Sequence, residues 1–198
     1  MSSHHFVKEG QEPALFILDP VDFELAGPFL EWAPLVMVSE YALDEVLLWG
    51  IKIDGALMPE GDDATEEKLG AQAPIEIIRL HPGASLIKQV FDYLIKKKQT
   101  GVNVLTARPE IVFADAEMVA KQLHVSIVDN TTRWVGISTG RFEKWLTMNT
   151  PIVIRKSHQN QSMTIRGLNE KNGHFECANE GVISVVSDHF FWIAEPHA

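Results

Sequence analysis

The densest group of side chains able to do chemistry is Glu60-Gly61-Asp62-Asp63, followed at once by Glu66-Glu67. Carboxylates set this closely suit magnesium, which phosphoryl-transfer sites hold with one or two acids plus phosphate oxygens. The cluster follows an apolar run that reads as a strand, at the carboxyl end where open parallel sheets bind ligands. The same spacing suits the first turn of a helix, with Asp63 and Glu66 three residues apart as in a capping box. A second candidate is His81-Pro82-Gly83-Ala84-Ser85, a turn from strand to helix whose free N–H groups and helix dipole favour an anion. Ser85 there is equally an ordinary N-cap.

Other chemistries find little support. No Walker-type loop, G-x-G-x-x-G, G-x-S-x-G or H-E-x-x-H occurs. The eight histidines are scattered, and the pair His4-His5 lies at the terminus. Cys177 is the single cysteine, so it has no disulfide or metal-ligating companion and reads as a small buried hydrophobe. Trp134, Trp145 and Trp192 could stack on a flat ligand but suit a sandwich core as well. Lys96-Lys97-Lys98 closes a helix, where cations complement the dipole.

Two kinds of segment must position these groups. Up to residue 123, short apolar runs at Ala14–Leu18, Leu35–Val38, Gly55–Met58, Ile75–Leu80 and Val102–Thr106 read as buried strands. Helical stretches separate them at Asp22–Trp32, Ala42–Trp49, Asp63–Gly70, Ser85–Lys98 and about Phe113–Leu123. The alternation predicts parallel strands with crossover helices. From residue 124 the pattern changes to short strands at His124–Asp129, Arg133–Ser138, Pro151–Lys156, Ser162–Gly167, Gly173–Cys177, Val182–Val186 and Phe190–Ala194. Turn formers such as Asn172-Gly173 separate them, which predicts an antiparallel sandwich. The expected organisation is a Rossmann-like α/β domain over 1–123 and a β-sandwich domain over 124–198, closely packed because no linker composition marks the junction.

Charge follows the same division. The chain of 198 residues has a formal net charge of −10, with 20 acids and 10 bases in residues 1–123 against 7 and 7 thereafter. That balance excludes a nucleic-acid binder working by general phosphate neutralisation. No apolar run reaches the ~20 residues needed to span a bilayer. Met1–Gly10 lacks the layout of a signal peptide, so the expected compartment is a reducing cytoplasm.

The order of these parts resembles a known family. Leu35-Val36-Met37-Val38-Ser39-Glu40-Tyr41-Ala42, then Val46-Leu47-Leu48-Trp49-Gly50-Ile51-Lys52-Ile53-Asp54-Gly55-Ala56-Leu57, is similar to the start of a thiamin pyrophosphokinase. The likeness continues through Ile75–Leu80, Val90–Leu94, Val102–Thr106 and Arg108 to the β-rich tail, Glu180–Val186 and Phe190–Glu195. It implies a Rossmann-like domain plus a β-sandwich, and a homodimer with sites at the subunit interface. The implied reaction passes a pyrophosphoryl group from ATP to thiamin with Mg2+, releasing AMP.

The family's chemical motifs are where this chain departs. Glu40 stands for the first aspartate, after the second strand. The family's G-D-x-D-S aligns on Met58-Pro59-Glu60-Gly61-Asp62, so its aspartates survive only if Glu60, Asp62 or Asp63 substitutes by a short slip. The D-x-x-x-T-D motif falls on His81-Pro82-Gly83-Ala84-Ser85-Leu86 and brings no carboxylate. G-G-R-x-D-H falls near Thr106–Val112 and keeps Arg108, whose fork suits phosphate. The Ser-Asn of the second domain survives in part as Ala178-Asn179, which makes Asn179 the thiamin-contacting candidate. Two readings follow: a family scaffold with a degenerate site, acting in binding or regulation; or an active transferase using Glu40, Glu60, Asp62 and Asp63 on magnesium, with Ser85 and Arg108 on phosphate. A third is an unrelated α/β–β protein without a small-molecule site. Trp49, His81 and Phe113 are the large side chains expected to fill the cleft if it is closed.

Overall fold

The computed structural model describes residues 12–196 except Asp62 and Asn172; the side chains of Asp63, Ala64 and Glu66 are likewise outside the described residues. Strands β1 (Ala14–Ile17), β2 (Val36–Ser39), β3 (Gly55–Met58) and β5 (Gly101–Leu105) are buried along their whole length. Covered faces on both sides explain why they read as almost wholly apolar runs, with Ser39 and Asn103 the polar exceptions. With β4 (Glu76–Arg79) at the margin and β6 (His124–Val128), they form a parallel array in the order β4-β3-β2-β1-β5-β6.

Helices α1 (Phe23–Leu30), α2 (Glu40–Leu48), α3 (Asp63–Leu69), α4 (Leu86–Lys96) and α5 (Phe113–Val119) connect and cover these strands. On one face Leu25 and Ala26 of α1 and Ala42, Leu43 and Val46 of α2 pack on Leu15, Ile17, Val38 and Leu105. On the other, Val90, Phe91 and Leu94 of α4 and Phe113 and Ala116 of α5 pack on Phe16, Val104 and Ile127.

The sheet does not end at β6. Strands β7 (Thr132–Ile137), β14 (Phe191–Pro196), β9 (Pro151–Lys156), β12 (His174–Cys177) and β11 (Leu168–Lys171) extend it antiparallel, to eleven strands. A separate sheet, β10 (Met163–Arg166)-β13 (Gly181–Ser187)-β8 (Arg141–Leu146), supplies the opposite wall of a further core. Leu146, Ile183 and Val185 from the smaller sheet meet Ile152, Cys177, Phe191 and Ile193 from the larger.

Three details differ from the sequence reading. His124–Val128, counted among the antiparallel strands, pairs in parallel with β5, because its buried residues complete the layer under α5. Strands β8 and β11 were not anticipated. Both are sheet margins with polar outward residues (Arg141, Glu143; Asn169, Glu170), so neither has an apolar run. Trp145 is no core residue: it is 53% exposed on β8, whereas Trp192 is fully buried.

Trp192 fastens the two kinds of structure together. Its ring lies 5.0 Å from Phe113 and 5.2 Å from Phe190, and its Nε1 donates to Glu117 of α5 at 3.0 Å. Phe113 also meets Trp134 edge-on at 5.1 Å, and the Arg155 guanidinium lies 4.4 Å from the Phe113 centroid. These contacts draw α5 onto the β7–β14–β9 surface by aromatic and cation–π packing.

Candidate functional site

Chain order runs outward from β1 through β2 and β3 to β4, then returns to place β5 on the other side of β1. The carboxyl ends of β1 and β5 are therefore a topological switch point, where open α/β sheets leave a crevice for ligands. Leu18 and Asp19 follow β1 there; Thr106, Ala107 and Arg108 follow β5.

These ends are tied by a polar cluster. The Arg108 guanidinium donates to Asp19 from Nη2 at 2.5 Å and from Nε at 3.4 Å. Thr106, fully buried, donates from Oγ1 to Asp19 Oδ2 at 2.5 Å and accepts the Arg108 backbone N–H at 3.0 Å. Ser39, at the end of β2, donates to the Leu18 carbonyl. Burial alone would raise the Asp19 carboxyl, which is 6% exposed. Hydrogen bonds from Arg108 and Thr106, with the guanidinium charge, outweigh it and hold Asp19 below the ordinary carboxylate value. Asp19 was not singled out in the sequence; its signal was an acid placed directly after the apolar run Ala14–Leu18.

A cleft of about 460 Å³ opens beside this cluster. Leu18 and Arg108 line it from the strand ends, Tyr41 from α2, Ser85, Leu86 and Ile87 from α4, and Ile111 from the turn before α5. Trp49, His81 and Phe113 are not among its lining residues. Trp49 stacks edge-on with Phe23, His81 borders a different hollow, and Phe113 is in the core. Tyr41 is 60% exposed, and the charge of Glu40 beside it pushes its phenol above the ordinary value, with burial adding to the rise.

Ser85 is the N-cap of α4, its Oγ accepting the Lys88 N–H at 3.3 Å. Its hydroxyl also donates to the Asp115 carboxylate of α5. An anion of the chain itself thus stands at the start of α4.

Glu40 is the first residue of α2, at the carboxyl end of β2. Glu60 is exposed in the turn after β3, where the Pro59 carbonyl accepts from Arg79 at 3.1 Å. Both lie on the same edge of the sheet as Arg108, and Asp63 opens α3 there. Asp62 and the Asp63 side chain lie outside the described residues. Asn179 is exposed in the turn between β12 and β13, its carbonyl accepting from the Cys177 thiol, and is not among the cleft's lining residues.

Magnesium needs carboxylate oxygens free to ligate it. Both Asp19 oxygens are engaged by Arg108 and Thr106. Among the described residues, no group of three or more His, Cys, Asp or Glu could hold a metal ion.

No family model matches the chain, and no curated protein matches it in sequence. Solved structures match it across nearly its whole length. The thiamine pyrophosphokinase from Bacillus subtilis superposes with a TM-score of 0.68 at 10% identity, covering 93% of this chain and 99% of its own. The thiamin pyrophosphokinase from Candida albicans gives 0.72 at 7% identity, covering 96% and 91%. The yeast enzyme gives 0.69 at 12%, covering 96% and 88%. No helix among the described residues is long and apolar enough to cross a membrane. The long mixed sheet with its facing antiparallel sheet is the thiamin pyrophosphokinase fold.

Proposed function

We propose that this chain is a divergent thiamin pyrophosphokinase-family protein whose cleft binds a small molecule, and whose pyrophosphoryl transfer from ATP to thiamin is impaired. The observation that carries this reading is the Asp19–Arg108–Thr106 cluster at the switch point. A guanidinium held on a buried carboxylate is fixed in place, with its side chain 53% exposed, so it can meet an anionic group. The same ion pair sets the guanidinium charge of Arg108 against any cation approaching Asp19. The replacement of family aspartates by Pro59, Gly83 and Ala84 points the same way, because phosphoryl transfer rests on positioned metal ions.

In this reading Arg108 and Ser85 face the phosphate of a bound nucleotide, with Asp115 yielding its place at Ser85. Asn179 contacts thiamin across a homodimer interface, and the protein works in the cytoplasm as a binding or regulatory pseudoenzyme. The second reading is an active transferase that uses ATP with Mg2+ held by Glu40, Glu60, Asp62 and Asp63. What favours it is that Glu40, Glu60 and the start of α3 all follow the carboxyl ends of β2 and β3, on the same edge of the sheet as Arg108.

Equilibrium titration of thiamin, AMP and ATP, with and without magnesium, tests the binding claim. The expected result is saturation by thiamin or a nucleotide, weakened in Arg108→Gln, with little gain from magnesium. No binding of any of the three by folded protein would overturn it.

A further inference from the structure

A hollow of about 370 Å³ lies away from the switch point and shares no lining residue with the cleft there. Its floor is the sheet face carrying Asn103 of β5, and its sides are α1 with the following turn, the segment before β1, and β7. Pro28, Phe29, Trp32 and Pro34 give it flat apolar walls. Trp32 is 65% exposed, an indole left largely in solvent beside the groove.

The floor has a polar feature that the fold itself does not use. Asn103 is only 9% exposed, and its side-chain amide has no hydrogen-bond partner among the described residues. Its neighbours on β5, Val102 and Val104, belong to the core under α4 and α5, so Asn103 lies on the opposite face. Its register partners there are Leu15 and Ser126, and Ser126 sets a hydroxyl on the same face. The amide atoms are not shut away from solvent: they open into the hollow, where water or a ligand can satisfy them.

Charge is set at the two sides of this floor. Strand order is β7-β6-β5-β1, so Arg133 on β7 and Glu12 before β1 lie on opposite sides of Asn103. The Arg133 guanidinium lies 5.9 Å from the Phe29 ring centroid and has no carboxylate within ion-pair distance among the described residues. A guanidinium against an aromatic wall keeps its fork for a planar anion, and carboxylate matches that fork. Glu12 repels an anion from the other side, which directs the carboxylate to Arg133.

We propose that this groove between α1 and β7 is a second small-molecule site, and that it takes a small aromatic carboxylate. The ring lies against Trp32 and the proline walls, the carboxylate meets Arg133, and Asn103 hydrogen-bonds the ligand from the floor. Volume agrees, since the hollow is at the small end of the range for ligand pockets.

Calorimetric titration of the full chain with 3-phenylpropionate, and with 3-phenylpropanol as the uncharged control, tests this. The acid is expected to saturate one site, and the alcohol to bind about tenfold more weakly or worse, the worth of a charge-assisted hydrogen bond. Arg133→Gln and Trp32→Ala, both at exposed positions, are expected to weaken the acid by a similar factor with an unchanged circular dichroism spectrum. Arg108→Gln is expected to bind it as the unaltered protein does. Absence of saturation, equal binding by Arg133→Gln, or loss in Arg108→Gln alone would each overturn the proposal.

Discussion

Replacing Thr106 by valine isolates the group that locks the switch point. Valine keeps the β-branched shape and nearly the volume of threonine, so no cavity is made and the strand end is not strained. Two hydrogen bonds disappear: the one Thr106 donates to the Asp19 carboxylate, and the one it accepts from the Arg108 N–H. A hydrogen bond to a charged group contributes about 1.5–3 kcal/mol and a neutral one about 0.5–1.5 kcal/mol. With Thr106 fully buried, water cannot replace either bond without rearrangement, and the sum is about 3 kcal/mol of stability. In a chain of this size that lowers Tm by about 6–12 °C. Thr106→Ser is the control. It keeps the hydroxyl and loses one buried methyl, about 1 kcal/mol. The pH dependence carries its own sign. Asp19 has a folded-state carboxyl below its ordinary value of 3.8, so its ionisation stabilises the fold above that value. That contribution is lost as pH falls through the folded value. Thr106→Val depresses Asp19 less, so the gap between variant and unaltered protein should be full at neutral pH and narrow below about pH 4. Urea unfolding at pH 7 and at acid pH measures both. A gap below about 1 kcal/mol, a serine variant as unstable as the valine one, or a gap that widens in acid would refute the reasoning.

Other expectations follow from particular contacts. In Gly140→Ala the new Cβ would lie 2.5 Å from the Ser187 carbonyl oxygen, at a φ of +72°, so a loss of about 2–3 kcal/mol is expected in thermal unfolding. In Gly55→Ala the new Cβ would lie 2.6 Å from the flexible end of Met37 and 3.3 Å from the Glu76 carbonyl oxygen, with no positive φ, and should cost less than Gly140→Ala. Ser85→Ala removes the α4 cap and should cost about 1 kcal/mol by urea denaturation. Burial and the Glu76 carboxylate push the Tyr93 phenol up to about 12, and Tyr41 is raised too. Absorbance titration of the two tyrosines should therefore show less than half phenolate at pH 10, with Tyr93 the last to ionise, and Glu76→Gln should bring its midpoint down.

Much of the fold was legible because burial leaves a plain mark in the sequence. The strands covered on both faces, such as Ala14–Ile17 and Gly55–Met58, are continuous apolar runs. Strands with one solvated face left weaker marks, and Arg141–Leu146 and Leu168–Lys171 escaped notice for that reason. Pairing direction was hidden as well: nothing in His124–Val128 distinguishes a parallel neighbour from an antiparallel one. At the cleft, Arg108 was legible through its motif, while its counterpart Asp19 lies 89 residues earlier in the chain. Folding brings such partners together, and no local spacing announces them. Asp115 at Ser85 is the same case, 30 residues apart and on another helix.

The measurement that bears most directly on the central claim is a single-turnover assay, with protein in excess over thiamin and with ATP and magnesium present. The account predicts no thiamin diphosphate and no AMP above background from folded protein. Formation of both products, abolished by Glu40→Ala or Asp62→Ala, would contradict it and assign the metal to the relocated acids.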